Sequence, residues 1–249
     1  MLLDFIVTLF QFCFTCIAWP IELIAALFET IFSLFKCNSV RLPKVIAITG
    51  ASSGIGEELA KKYALNGNKL ILIARNINKL NELKLNLEMN GCSVEVHQVD
   101  VTDREMMKSV LSEYDQIDLV IANAGTTQEL MDINASENLL SDTTYTLFNT
   151  NVYGVFNTIL PVVDIMKKQG YGQICVVSSI AGLGINGLYP LYSASKLAIR
   201  GWAEGLRAML QPYGIQVSIV CPCGVKTPLY DALGYPSWLS ISTEKCANI

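Results

Sequence analysis

The sequence is short of histidine and of charge. It carries one histidine in 249 residues, charged residues make up only 16%, and no block of Lys and Arg is long enough to track the phosphates of a nucleic acid. A net charge of −4 and a pI near 5.1 agree with that exclusion, so no nucleic-acid partner is expected. There is no internal repeat and no low-complexity stretch. Cys13 and Cys16 have metal-like spacing, but no second pair or histidine cluster accompanies them, and no metal is expected. The eight cysteines, at 13, 16, 37, 92, 175, 221, 223 and 246, are scattered and mostly embedded in apolar runs, where a free thiol behaves as a small hydrophobe. That argues against a disulfide framework and for a reducing compartment. The lone histidine, His97, falls in an apolar strand pattern and reads as structural.

What the chain has in excess is apolar residues, at 51%, and much of the excess sits before residue 38. From Met1 to Phe35 the only formal charges are Asp4, Glu22 and Glu29, which predicts a membrane anchor over residues 1–37. A continuous helix of that length would be about 50 Å long against a hydrocarbon core of about 30 Å, and Pro20 offers a break. On an ideal helical wheel Asp4, Thr8, Gln11, Thr15, Glu22, Glu29, Ser33 and Lys36 fall within an arc of about 80°. Two arrangements remain open: an embedded monotopic or kinked helix with a narrow polar stripe, or one span over residues 2–19 followed by a surface helix. No Lys or Arg precedes the run, which argues against a cleaved signal peptide. Lys36, Arg41 and Lys44 follow it, which places the rest of the chain on the cytosolic side of an intracellular membrane. Cys37 could carry a palmitoyl group, although an unmodified thiol is the simpler expectation.

Beyond a linker at 38–43, one domain is expected over 44–249. Apolar runs at Val45–Thr49, Leu70–Ile73, Val94–Val99, Leu119–Ala122, Ile174–Ser178 and Val217–Cys221 alternate with helical patterns. This predicts an α/β fold with a doubly wound parallel sheet of Rossmann type, its strands apolar throughout because both faces are covered. The first strand runs into Thr49-Gly50-Ala51-Ser52-Ser53-Gly54-Ile55-Gly56 and then a helical pattern from Glu57 to Leu65. Glycines between a strand and a helix N-terminus let the backbone approach a dinucleotide's phosphates. Further on, Tyr192 and Lys196 lie one helical turn apart in a stretch reaching about Pro212, so the lysine cation is expected to favour ionisation of the phenol and bring its proton exchange nearer neutrality.

With the TGxxxGxG spacing, the sequence begins to resemble the short-chain dehydrogenase/reductase family, and the resemblance covers nearly all of residues 44–230. It implies a nicotinamide cofactor cradled by Gly50, Ser52, Ser53, Gly54, Ile55 and Gly56. Asp100, with Val101 beside it, matches the family's adenine-contacting acid, and Asn123-Ala124-Gly125 matches the motif after the fourth strand that lines the cofactor. At the end of the second strand, Arg75 stands where an acid would select NAD(H), which favours NADP(H) and leaves NAD(H) possible. Ser179, thirteen residues before Tyr192, matches the serine that hydrogen-bonds the substrate carbonyl while Tyr192 gives or takes the proton. By the same resemblance Lys196 holds the nicotinamide ribose hydroxyls, and Asn151, with Asn149 as competitor, helps to hold a water linked to the lysine.

Two departures stand out. Pro222-Cys223-Gly224-Val225-Lys226-Thr227 keeps the family's Pro222, Val225 and Thr227, which close over the nicotinamide, but has Cys223 where a glycine is usual. A left-handed backbone there would cost about 1 kcal/mol or more, unless Gly224 takes over by a local shift. The chain also ends at Ile249, just as Ser242-Thr243-Glu244-Lys245 reads as the start of a helix, so the substrate lid and last strand are expected to be missing and the sequence to be incomplete or a variant with an open sheet edge. The leading functional expectation is a membrane-anchored oxidoreductase of a lipophilic carbonyl or alcohol: a steroid, retinoid, sphingoid or fatty-acyl compound. Leu72-Ile73-Ala74-Arg75-Asn76 and Ala198-Ile199-Arg200-Gly201 are similar to segments of membrane-associated 3-ketosphinganine reductases. The rivals are a non-catalytic nucleotide-binding scaffold and a dehydrogenase of small polar alcohols. Substrate choice is assigned to the loops Thr126–Asn138 and Gly184–Pro190, and a homodimer is expected from the family.

Overall fold

The computed structural model describes residues 41–127, 137–184, 189–231 and 236–248. The chain divides into Met1–Leu42 and Pro43–Ile249, and the fold below is that of the second unit. The expected anchor helix at 1–37 lies outside the described residues; among those described, no helix is long and apolar enough to cross a membrane.

Strands β1 (Val45–Thr49), β2 (Lys69–Ala74), β3 (Ser93–Gln98), β4 (Leu119–Ala122), β5 (Gly172–Val177) and β6 (Ile215–Val220) form one sheet in the order β3-β2-β1-β4-β5-β6, every pair parallel. Between them run helices α1 (Gly54–Tyr63), α2 (Ile77–Glu88), α3 (Arg104–Leu111), α4 (Glu137–Phe148), α5 (Gly154–Gln169) and α6 (Pro190–Leu210). The apolar run of each strand splits by parity. On β1 and β2, Ala47, Ile71 and Ile73 join Met107 of α3, Ile159 of α5 and Ile199 of α6 on one side of the sheet. Ile46, Ile48, Leu70 and Leu72 join Ala60 of α1 and Leu80, Leu83 and Leu87 of α2 on the other. Successive side chains point to opposite faces, so a strand with helices on both sides has no position left for a polar residue. This is why the inner strands β1, β2 and β4 carry no alternation, whereas the edge strands β3 and β6, less covered on one face, alternate apolar with polar residues, contrary to the expectation of strands apolar throughout.

The order 3-2-1 followed by 4-5-6 reverses direction between β1 and β4. Ligands in open parallel sheets bind at such a reversal, beyond the carboxyl ends of the strands. At the amino ends the same two strands are pinned by Asp118, whose Oδ2 accepts from the backbone N–H groups of Lys44 at 2.7 Å and Val45 at 3.0 Å. Its Oδ1 accepts from Gln116 Nε2 at 2.8 Å and from the Tyr171 hydroxyl at 2.9 Å. Burial acts to raise this carboxyl's pKa, but the hydrogen bonds outweigh it and the net direction is down.

After β6 come a two-residue strand β7 (Gly224–Val225), helix α7 (Pro228–Asp231), a strand β8 (Ser240–Ile241) parallel to β7, and helix α8 (Thr243–Ala247). Ser242 caps α8 by accepting from Lys245 N, as the Ser-Thr-Glu pattern led one to expect. Lys62 of α1 ties down the far end of α8, donating to Ala247 O at 2.6 Å and Asn248 Oδ1 at 3.1 Å.

Asp118→Ala leaves two partly buried strand-end amides without their acceptor and is expected to cost about 2 kcal/mol in denaturant unfolding. Because the folded carboxyl holds its proton less tightly than the unfolded one, Asp118's contribution is present above about pH 4 and is lost as pH falls through the folded value. The variant should therefore converge on the wild type in acid; a gap unchanged with pH would contradict the assignment.

Candidate active site

The turn after β1 depends on missing side chains. Gly50 and Gly54 have φ of +67° and +60°, in the left-handed region that favours glycine. A Cβ on Gly56 would collide with the Gly50 carbonyl and lie 2.6 Å from Asn123 Nδ2. Asn123 holds the turn from the other side, donating from Nδ2 to Thr49 O at 3.0 Å. Thr49 Oγ1 in turn accepts from the backbone N–H of Asn123 at 3.2 Å and of Ala124 at 3.3 Å. The ends of β1 and β4 are thus laced together at the reversal point. Ser53 precedes α1 without capping it through its side chain, so the first-turn amides are not consumed by a side-chain cap.

A cleft of about 360 Å³ runs along these strand ends. It is lined by Gly50, Ser52, Ser53, Gly54 and Ile55 from the turn, Arg75 after β2, Asp100 and Val101 after β3, Asn123, Ala124 and Gly125 after β4, and Tyr192, Lys196 and Thr227. Of the residues expected at a cofactor, Gly56 lines no wall and serves as the floor against Gly50, while Pro222 and Val225 line a neighbouring cavity instead. Asp100 Oδ1 accepts from Thr102 N and Oγ1, both at 2.9 Å. Arg75 reaches out at the rim, its side chain 82% exposed and Nη1 3.8 Å from Asp100 Oδ2.

The neighbouring cavity, of about 490 Å³, is walled chiefly by apolar groups: Ile55, Ile180, Ala181, Pro222, Val225, Leu229 and Leu239, with Tyr189 and Tyr230. Ile55, Tyr192, Thr227 and Leu229 belong to both spaces, so the Tyr192 ring stands on their boundary. Ser179 follows β5 in extended conformation and its Oγ accepts from Ala181 N at 3.2 Å, which opens a short 3₁₀ turn over Ile180–Gly182. Lys196 is buried, and its Nζ donates to Val177 O at 3.0 Å, 5.8 Å from the Tyr192 ring centroid.

Lys196 does not have the effect on the phenol that its spacing predicts. Burial pushes the Tyr192 phenol up, with a hydrogen bond to Ser179 acting against it. Burial also pulls the Lys196 ammonium down to about 8, the nearby Cys221 thiol opposing. Withdrawal from water disfavours the charged form of both groups, and a cation turned to a carbonyl does not overcome it for the phenol.

Asn151 is fully buried in a π-helical turn, Asn149–Tyr153, between α4 and α5, whereas Asn149 is exposed. The Asn151 amide exchanges two hydrogen bonds with the Thr126 backbone, at 2.8 and 2.9 Å, and its Nδ2 donates to Ser195 Oγ at 3.0 Å. Cys223 carries no backbone strain: among the described residues only glycines have positive φ, and Gly224 is not one of them. Gly224 is needed for space instead, since a Cβ there would lie 2.6 Å from Leu239 O and 2.7 Å from Tyr230 Cε2. His97 bonds the Tyr114 hydroxyl at 2.7 Å, a pairing away from both spaces. Among the described residues no group of His, Cys, Asp and Glu could hold a metal ion.

A family model for the short chain dehydrogenases matches residues 44–235. The chain belongs to the short-chain dehydrogenase family. It is 35% identical over 196 residues to dehydrogenase/reductase SDR family member 7 of Homo sapiens, covering 75% of this chain and 57% of that protein. It is 31% identical over 207 residues to a 3-dehydrosphinganine reductase of Arabidopsis thaliana, covering 80% of this chain and 61% of that one. Among solved structures, a short-chain dehydrogenase from Sphingobium yanoikuyae in complex with NADPH aligns with a TM-score of 0.76 at 28% identity, covering 83% of this chain and 82% of that one. A short-chain dehydrogenase/reductase from Burkholderia phymatum in complex with NAD aligns at 0.69 and 29%, covering 80% and 72%. This chain is accordingly an oxidoreductase of that family.

Sequence reasoning missed Thr49, Ser195, Tyr189, Tyr230 and Leu239. Thr49 opens the glycine motif and Ser195 directly precedes Lys196, and both could have been found by asking what satisfies each buried polar group. Leu239 had no local signal, because the pairing of β8 with β7 brings it to the cavity.

Lys196 holds its proton less tightly folded than unfolded. The unfolded chain therefore binds more protons between about pH 8 and 10.5, and stability rises with pH across that window. Lys196→Met should be more stable than the wild type below pH 8, with the difference shrinking towards pH 10.5. A difference in unfolding free energy that does not vary with pH would contradict the burial reading.

Proposed function

We propose that this oxidoreductase interconverts a carbonyl and an alcohol on a lipophilic small molecule, with NADP(H) as the preferred cofactor and NAD(H) as the alternative. The observation that carries the reading is the place of Tyr192, between a cleft of glycines and polar side chains and a largely apolar cavity. A nicotinamide dinucleotide fits the first: glycines give close approach at the helix N-terminus, and Asp100 and Arg75 stand at the far end. Arg75 supports NADP(H), because its exposed guanidinium is only loosely engaged at 3.8 Å and is available to a 2′-phosphate.

When bound, the nicotinamide supplies or accepts the hydride. Ser179 holds the substrate oxygen, and Tyr192 passes the proton to or from it. Burial keeps the phenol protonated at neutral pH, which suits the donor in a reduction. Lys196 serves the ribose hydroxyls from its buried place between Val177 and Gly125, and Asn151 fixes the wall beside it. Thr227 stands at the junction of the two spaces, with Pro222 and Val225 in the wall of the apolar one. The apolar segment at 1–37 is assigned to anchoring the catalytic unit on the cytosolic face of a membrane, where lipophilic substrates concentrate. The Arabidopsis relative, a 3-dehydrosphinganine reductase by name, supports a sphingoid or similar long-chain substrate.

For a homologous series of ketones, kcat/KM is expected to rise about fourfold per added methylene until the cavity is filled. Tyr192→Phe should lose about a hundredfold or more in kcat while still binding NADPH. A flat series, or a preference for sugars and polyols, would sink the lipophilic reading, and turnover of nothing with NADPH still bound would favour a scaffold.

Arg75→Ala should weaken NADPH about tenfold and leave NADH unchanged. Equal effects on both dinucleotides would remove the 2′-phosphate contact from the account.

The full chain should stay with membranes through an alkaline wash and be released when 1–37 are deleted. Glycosylation at the Asn134-Ala135-Ser136 sequon, which lies outside the described residues, would reverse the assigned orientation.

A further inference from the structure

We propose that Ser195 is a positioning residue for the reaction, holding the first turn of α6 against Asn151 and the Thr126 backbone so that Tyr192 and Lys196 keep their places at the cleft; this rests on the roles proposed above for that pair. Ser195 is fully buried. Its Oγ donates to Tyr192 O at 2.8 Å and accepts from Asn151 Nδ2 at 3.0 Å. Asn151 Nδ2 also donates to Thr126 O at 2.9 Å, and Oδ1 accepts from Thr126 N at 2.8 Å.

The direction of each bond is forced. A backbone carbonyl only accepts, so the single hydroxyl hydrogen of Ser195 goes to Tyr192 O, which leaves a lone pair for an amide nitrogen that only donates. Both Asn151 amide hydrogens and its oxygen are then used. The carbonyl that Ser195 grips is also the one that accepts the Lys196 N–H in the helix, so one tie restrains the backbone of both functional residues. Asn151 Oδ1 and Lys196 Nζ border the same space in front of Gly125, where an added Cβ would lie 3.3 Å from the first and 3.4 Å from the second. Alanine at 195 keeps the fold's volume nearly intact but leaves a buried Asn151 N–H without its acceptor.

The test uses the full chain with NADPH and a ketone it turns over. Ser195→Ala should lower kcat about tenfold, leave the NADPH dissociation constant within about twofold, and displace the pH–rate profile. Ser195→Thr, which keeps the hydroxyl, should recover most of kcat. Because the extra methyl sits in a packed site, a cycle with Asn151→Ala supplies an independent measure: Ser195→Ala should have little further effect on kcat once Asn151 is gone. A Ser195→Ala enzyme with a lowered melting temperature but unchanged kcat and pH profile would overturn the proposal, as would additive losses in the cycle. Full turnover by Tyr192→Phe would instead overturn the functional reading beneath it, so the two failures are distinguishable.

Discussion

The meeting of Gly56 with the Gly50 carbonyl is the constraint on which the rest of the site depends. A Cβ at 56 has no room there, since Asn123 Nδ2 would lie 2.6 Å away on the other side, so helix α1 can dock against the end of β1 only with glycine at that position. That docking directs the helix N-terminus at the cleft and fixes Gly50 and Gly54 in backbone conformations that side chains disfavour. Asn123 and Thr49 then lock the turn to the end of β4, and β4 leads directly into the Gly125–Thr126 segment that Asn151 holds. From Asn151 the network crosses through Ser195 to Tyr192. Hydrogen bonds and the backbone between them thus link the glycine turn to the main chain of Tyr192.

The sheet supplies the platform for this network. Parallel pairing of all six strands puts their carboxyl ends on one edge, and the reversal of order between β1 and β4 opens a gap there. At the opposite edge Asp118 collects the amino ends of β1 and β4 with hydrogen bonds strong enough to hold its carboxyl below the usual range despite burial. The electrostatics of the functional edge run the other way. Tyr192 and Lys196 are both pushed towards their neutral forms by burial.

Much of this was legible in the sequence, for identifiable reasons. Val45–Thr49 and Leu119–Ala122 end where their apolar runs end, because continuous apolar runs flanked by glycine or asparagine leave little freedom in placing a buried strand. The helix after the glycine turn begins at Gly54 rather than Glu57, since two glycines that would weaken a free helix are needed inside its first turn for clearance. The residues of the cleft were visible because their spacing follows from that turn and from strand ends. The apolar cavity was not, because it is assembled by β7 and β8, two-residue strands brought together across a long separation in sequence. Nor could a pattern of residue types show that burial, rather than the lysine cation, would dominate the phenol, or that Cys223 would sit in ordinary backbone geometry.

In the function proposed, Tyr192 faces a hydride-carrying nicotinamide on one side and a lipophilic carbonyl on the other. The most direct measurement follows the hydride itself, by supplying NADPH deuterated at C4 of the nicotinamide together with a long-chain ketone and analysing the product by mass spectrometry. The expected product is an alcohol carrying one deuterium on its carbinol carbon, formed by the wild type and lost in Tyr192→Phe. Binding of both molecules with no deuterium transferred would contradict it.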